Sequence, residues 1–186
     1  MKKFVYLCLV LLALSSCAKK EEKDMANGCD ANGACAVDFT STSDYENHLK
    51  NGKFTKISFK EVLDKIDNKE DFLVIYSFST CPWCVALMPE LSKLTNEYDQ
   101  NVYYVDVRPE GTDLRTEDNM DYVANYEKVK EIAKTDKIYV PAFVKFVKGE
   151  AVMYHEGTLE DHNAKEEALS QAQKTALIDI LSNFFK

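Results

Sequence analysis

Residues 72 to 90 read FLVIYSFSTCPWCVALMPE, from Phe72 to Glu90, and this stretch decides the fold. An uninterrupted apolar run of strand length, Phe72 to Phe78, suits a strand buried on both faces. A short turn follows, and then Cys81, Pro82, Trp83 and Cys84 open a helix. Pro82 fits the first helical turn, where its missing N–H and fixed φ cost nothing. A sulfur at a helix N-terminus faces unpaired backbone N–H groups and the positive end of the helix dipole, which together favour a thiolate at Cys81. Cys84, one turn on, is placed to attack any mixed disulfide that Cys81 forms. Taken alone, the C-x-x-C spacing also fits half a zinc site or two structural cysteines. Half a site needs a second pair of ligands, and the folded part of the chain offers none.

Working outward, Phe54 to Ile57 reads as a short strand. Ser58 with Glu61 gives a capping box for a helix from Phe59 to about Ile66, with Phe59, Val62, Leu63 and Ile66 on one face. The helix opened by Cys81 runs through Leu87, Leu91 and Leu94 to about Tyr98, with Pro89 in its interior. Val102 to Val107 is the next buried strand. Between Arg108 and Lys137 the helical spacing of Val123, Tyr126, Val129, Ile132 and Ala133 predicts one or two helices covering a face of the sheet. Ile138 to Val147 returns as turn and strand, Lys148 to Glu150 turn the chain, and Ala151 to His155 pairs antiparallel with it. A last amphipathic helix is expected from about Asp161 to Phe185, packing through Ala168, Ala172, Leu177, Ile180, Leu181 and Phe184. The reading is an α/β domain over residues 44–186, with a central mixed sheet flanked by helices.

Composition bounds the function classes. The chain has 186 residues, an apolar fraction of 46%, and only six Gly and four Pro, which fits one ordinary globular core with appendages. The net charge is −8, and residues 1–16 carry two lysines and no acid, so without them it becomes −10. So acidic a chain is a poor nucleic-acid binder.

The N-terminal segment has its own logic. Lys2 and Lys3 precede an uncharged run from Phe4 to Leu14, short for a membrane span and suited to a signal-peptide core. The run ends in Leu14, Ser15, Ser16 and Cys17, which resembles the lipobox of bacterial lipoproteins, in which small residues precede a cysteine that is lipidated and becomes the mature N-terminus. That resemblance implies a signal peptide over residues 1–16, a lipid on Cys17 and an extracytoplasmic, membrane-anchored location. The alternatives are an ordinary signal peptide cut elsewhere or an uncleaved anchor. Residues 17–43 are polar and without apolar periodicity, as a flexible tether would be. Within it, Cys29 and Cys35 suit a local disulfide in an oxidising compartment. Exchange of that pair with Cys81 and Cys84, or a metal site built from all four cysteines, is also open.

Residues 53 to 186 resemble the thioredoxin fold, on three motifs. These are Cys81-Pro82-Trp83-Cys84 after a buried strand, Pro89 five residues beyond the second cysteine, and Val140-Pro141-Ala142-Phe143, which is similar to the cis-proline segment that faces the active-site disulfide; Gly157 after the last strand also matches. The resemblance implies dithiol–disulfide exchange with protein substrates, a redox partner protein, and no cofactor beyond a Cys81–Cys84 disulfide. It makes Cys81 the nucleophile and exposed, Cys84 the resolving thiol and buried, and Trp83, Val140 and Pro141 the substrate groove. Two departures stand out. Thioredoxins usually carry a buried acid six residues before the first cysteine, and Ile75 holds that position. The Pro-Trp pair between the cysteines and Val140 before Pro141 lean towards a more oxidising couple. The region 108–137 is similar in layout to thioredoxin-like accessory proteins of bacteriocin export, which implies a non-catalytic binding role as the rival to exchange. Tyr76, Tyr103 and Tyr104 read as sheet packing, His155 as a solvated strand end, and His48 and His162 lack metal-site spacing.

Overall fold

The computed structural model describes residues 42 to 186; the expected signal peptide over 1–16, all but the last two residues of the expected tether, and Cys17, Cys29 and Cys35 lie outside them. Five strands form one sheet in the order β1-β3-β2-β4-β5. They are β1 (Phe54–Lys56), β2 (Phe72–Ser77), β3 (Val102–Asp106), β4 (Ala142–Val147) and β5 (Glu150–Glu156). β1, β3 and β2 run parallel, whereas β4 pairs antiparallel with β2 and β5 antiparallel with β4. β2 is the middle strand, and every one of its residues is buried, as its unbroken apolar run requires.

The helices cover both faces. α1 (Thr42–Asn51) and α5 (Gln171–Ser182) pack against α3 (Pro82–Glu97) on one face, and α2 (Phe59–Asp67) packs against α4 (Met120–Ala133) on the other. Alternation along β2 shows how the strand serves both layers. Tyr76 stacks on Phe59 of α2 and donates to Asn125 Oδ1 of α4 at 2.8 Å, while its neighbour Ser77 meets Tyr45 of α1 at 2.6 Å. Phe143 on β4, in register with Ile75, lies on the face covered by α1, α3 and α5 and stacks on Phe184 beyond α5.

Local chemistry sets the element ends. Ser58 and Glu61 form the expected capping box at α2. Cys81 itself is the N-cap of α3, accepting through its sulfur from the Cys84 N–H, with Pro82 in the first turn. α3 runs unbroken through Pro89.

Two sequence expectations are corrected, the start of the folded chain and the start of the final helix. The described chain begins with a helix, α1, two residues inside the segment assigned to the tether and ahead of the first expected strand. Its Tyr45 is fully buried and its Leu49 packs on the core, an i, i+4 pair hidden in a polar stretch. The one or two helices expected between Arg108 and Lys137 are a single α-helix, α4, preceded by a 3-10 turn, Pro109–Gly111, so that expectation stands. The final helix starts ten residues later than expected, because Ser170 and Gln173 form a second capping box. Residues 157–170 are instead an irregular loop that buries His162, Ala164 and Leu169, and Ala172 and Ile180 are left exposed. Among the described residues no helix is long and apolar enough to cross a membrane.

Candidate active site

The site forms where β2 ends and α3 begins. β2 delivers the chain to the turn 78–80, and the Cys81 N–H closes that turn by donating to the Phe78 carbonyl at 3.3 Å. Cys81 and Cys84 are both present as thiols. Cys81 keeps 5% of its surface and Cys84 none. The buried Cys84 is as expected, whereas Cys81, expected to be exposed, is itself buried, with only a small part of its surface open beside the Val140 carbonyl.

The two thiols differ sharply in acidity. The Cys84 thiol donates to the Cys81 sulfur and holds its pKa below the ordinary thiol value against the penalty of burial; the backbone N–H groups of Cys84 and Trp83 and the charge of Arg115 act in the same direction. The Cys84 N–H lies 3.4 Å from the Cys81 sulfur. Burial pushes Cys84 well above the ordinary value, and its bond to Cys81 adds to the effect. One thiol is thus shifted towards its thiolate beside another shifted towards its protonated form.

The groove walls come from distant parts of the chain. The Val140–Pro141 peptide is cis, Pro141 is buried, and the Val140 carbonyl lies 3.7 Å from the Cys81 sulfur. Trp83 is half-buried. Its indole Nε1 donates to the His162 carbonyl at 3.4 Å, and the Lys165 Nζ stands 5.6 Å from its ring centroid. The loop 157–170 therefore abuts the cysteine helix. His162 anchors that loop from within, with Nδ1 2.7 Å from the Thr158 hydroxyl and Nε2 3.0 Å from the Glu167 carbonyl.

Several contributors carried no signal that the sequence reading used. Arg115 clamps Asp113 through Nε at 3.0 Å and Nη2 at 2.8 Å, reaches the Ile138 carbonyl at 3.3 Å, and holds the Asp113 carboxyl far below the usual range. It thereby places a fixed positive charge near Cys81 and ties the 108–115 segment to the approach to Pro141. The pattern D-x-R after a strand was the available clue. His155 is not a solvated strand end. Its Nε2 is buried without a partner, and burial lowers its pKa. Among the described residues no cluster of three or more His, Cys, Asp or Glu is arranged to hold a metal ion.

The parallel β1-β3-β2 core, the antiparallel β4-β5 hairpin, and a paired-cysteine helix facing a cis-proline peptide define a thioredoxin-like fold. Solved structures similar to the chain include one described as having a thioredoxin fold, at 24% identity, covering 68% of this chain and 97% of its own, with a TM-score of 0.45. A thioredoxin of Arabidopsis thaliana in the oxidised state is 16% identical over 73% of this chain and 100% of its own, with a TM-score of 0.42. A mutant thioredoxin from Halobacterium salinarum is 19% identical over 72% of this chain and 92% of its own, with a TM-score of 0.43. No protein-family model matches the chain, and neither does any curated protein.

Proposed function

We propose that the chain is a dithiol–disulfide oxidoreductase acting on protein substrates, tethered outside the cytoplasm by a lipid on Cys17. The observation that carries the redox reading is the asymmetry of the pair at the start of α3: a Cys81 sulfur of lowered pKa at a groove floor, and a fully buried Cys84 of raised pKa one turn behind it. In the reducing direction the Cys81 thiolate attacks a substrate disulfide, forming a Cys81–substrate bond and releasing one substrate thiolate. Cys84 then loses its proton and attacks the Cys81 sulfur. The Cys81–Cys84 disulfide forms, the second substrate thiolate leaves with the bonding pair, and two electrons have passed to the substrate. Read backwards, the same steps oxidise a substrate dithiol.

The walls suit an extended peptide. Val140 and the cis Val140–Pro141 bond border the reactive sulfur on one side, and Trp83 with the 157–170 loop shapes the other. Electrons reside in the cysteine pair, so the exchange runs without a dissociable cofactor and is completed by a redox partner protein. The location rests on the sequence of residues 1–17 and is tested by labelling with a radioactive fatty acid, which Cys17→Ser should abolish.

The Cys84→Ser variant tests the exchange reading. Incubated with a disulfide-bonded protein such as insulin, it should accumulate a mixed disulfide through Cys81, which the unaltered chain resolves. Accumulation of none would favour a non-catalytic accessory lipoprotein that uses the groove to hold a client.

A further inference from the structure

The resolving step requires Cys84 to lose a proton while its sulfur has no exposed surface. The position six residues before Cys81, Ile75, is fully buried and has no ionisable group. Ile75 and Ser77, two apart on β2, face the same layer. The Ser77 hydroxyl acts on the Cys84 thiol in the direction that favours its thiolate, and it meets the Tyr45 hydroxyl at 2.6 Å in a fully buried contact. Tyr45 packs edge-on against Tyr104 of β3, with ring centroids 6.2 Å apart, and the two hydroxyls are hydrogen-bonding partners. Tyr104 in turn lines an open surface hollow between α1 and β1, with Glu46, Lys50, Gly52 and Lys56 among its neighbours. Four groups, each able both to donate and to accept a proton, therefore follow one another from the buried sulfur to a tyrosine that borders the hollow.

We propose that Ser77, Tyr45 and Tyr104 form a hydroxyl relay that moves the proton of Cys84 between the core and the hollow beside β1, in the role that a buried carboxylate would otherwise fill. The inference rests on the exchange reading above and deepens its second step. Cys84 gives its proton to Ser77 Oγ as the Ser77 proton passes to Tyr45, the Tyr45 proton to Tyr104, and the Tyr104 proton to water at the hollow. One proton leaves, each hydroxyl ends neutral, and the Cys84 thiolate attacks the Cys81 sulfur. Ser77 touches the reacting atom and is the catalytic member; Tyr45 and Tyr104 act through it. Burial holds the phenols of Tyr45 and Tyr104 above the ordinary tyrosine value, so both stay neutral and available to pass a proton. The remaining charged and titratable groups around the path are Cys81 beside Cys84, and Glu46, Lys50, Lys56 and Asp106 around Tyr104 and the hollow.

The test uses the full chain in detergent with Cys8, Cys17, Cys29 and Cys35 changed to Ser, so that only Cys81 and Cys84 react. Mixing the reduced protein with 5,5′-dithiobis(2-nitrobenzoate) gives two phases: a bimolecular release of one thionitrobenzoate by Cys81, and a unimolecular release of the second by Cys84. Ser77→Ala should slow the second phase about tenfold at neutral pH and move its pH midpoint upward, with the first phase within about twofold. Ser77→Thr, which keeps the hydroxyl, should restore the rate. Tyr45→Phe and Tyr104→Phe should slow the same phase and reduce its solvent deuterium effect, a change that loss of packing alone does not produce. The relay is overturned if Tyr45→Phe and Tyr104→Phe keep the rate, pH midpoint and isotope effect of the second phase, whether or not Ser77→Ala folds. A parent protein that releases no second thionitrobenzoate would instead overturn the exchange reading itself.

Discussion

Removing the Cys84 sulfur should make Cys81 a weaker acid. The Cys84 thiol is the first of the groups that hold the Cys81 pKa down, ahead of the Cys84 and Trp83 backbone N–H groups and the Arg115 charge, and burial opposes them all. A hydrogen bond to a charged acceptor is worth about 1.5–3 kcal/mol. At about 1.4 kcal/mol per pH unit, its loss in Cys84→Ala should raise the Cys81 midpoint by about one to two pH units. The assay is the rate of iodoacetamide alkylation against pH, with the other four cysteines changed to Ser, since only the thiolate reacts. Arg115→Met should raise the midpoint by less, because its charge is the last of the contributors, and that rise should shrink in salt as screening predicts. A Cys84→Ala midpoint equal to or below that of the parent would refute the assignment of Cys84 as a donor to Cys81.

Three further outcomes follow from the same structure. The folded pKa of Cys81 lies below its unfolded value and that of Cys84 above it. The Cys81 contribution to stability is present above about pH 8.5 and lost as pH falls through the folded value; the Cys84 contribution is present below about pH 8.5 and lost as pH rises through its folded value. Urea midpoints of the reduced chain, read by Trp83 fluorescence, should therefore rise towards about pH 8.5 and decline beyond it, and Cys81→Ser should remove the rise. Tyr76→Phe deletes the donor to Asn125 Oδ1, while the Asn125 amide stays bonded to the Phe59 and Asp121 carbonyls. It should cost about 1–3 kcal/mol in chemical denaturation, and a change well under that range would show that water satisfies the amide. Gly149→Ala places a Cβ against the Ile66 carbonyl oxygen at a residue with φ of +78°. It should destabilise the β4-β5 turn by at least about 1–3 kcal/mol, and an unchanged melting temperature would contradict that close approach.

What the sequence made legible was what local chemistry writes. The unbroken apolar run of β2 marked the sheet centre, Ser58 and Glu61 marked the start of α2, and Cys81 with Pro82 marked the start of α3; all three appear in the structure. The same capping logic at Ser170 and Gln173 would have placed α5, but the apolar residues between 161 and 170 suggested a longer helix. Those residues are buried by an irregular loop pinned through His162, which is a tertiary arrangement with no periodicity to betray it. α1 was hidden because only Tyr45 and Leu49 of its ten residues reach the core. The structure brings Cys81 next to Cys84 and the Val140 carbonyl, with the cis Val140–Pro141 peptide beside them. Arg115, His162 and the Ser77–Tyr45 pair join the site through contacts with residues 23 to 79 positions away along the chain, and no local pattern announces such contacts.

Whether the Cys81 and Cys84 pair exchanges disulfides is decided by its reduction potential, measured in a soluble form beginning after Cys17 with Cys29 and Cys35 changed to Ser. Trp83 is the only tryptophan and sits between the two thiols, so its fluorescence reports their state. Titration in thiol–disulfide buffers should give a reversible two-electron couple between about −270 and −120 mV, the span from reductant to oxidant among thiol exchange proteins. The Pro-Trp pair and Val140 lean the expectation towards the oxidising end. Absence of a reversible couple in any buffer would contradict the exchange mechanism and leave the groove as a binding site.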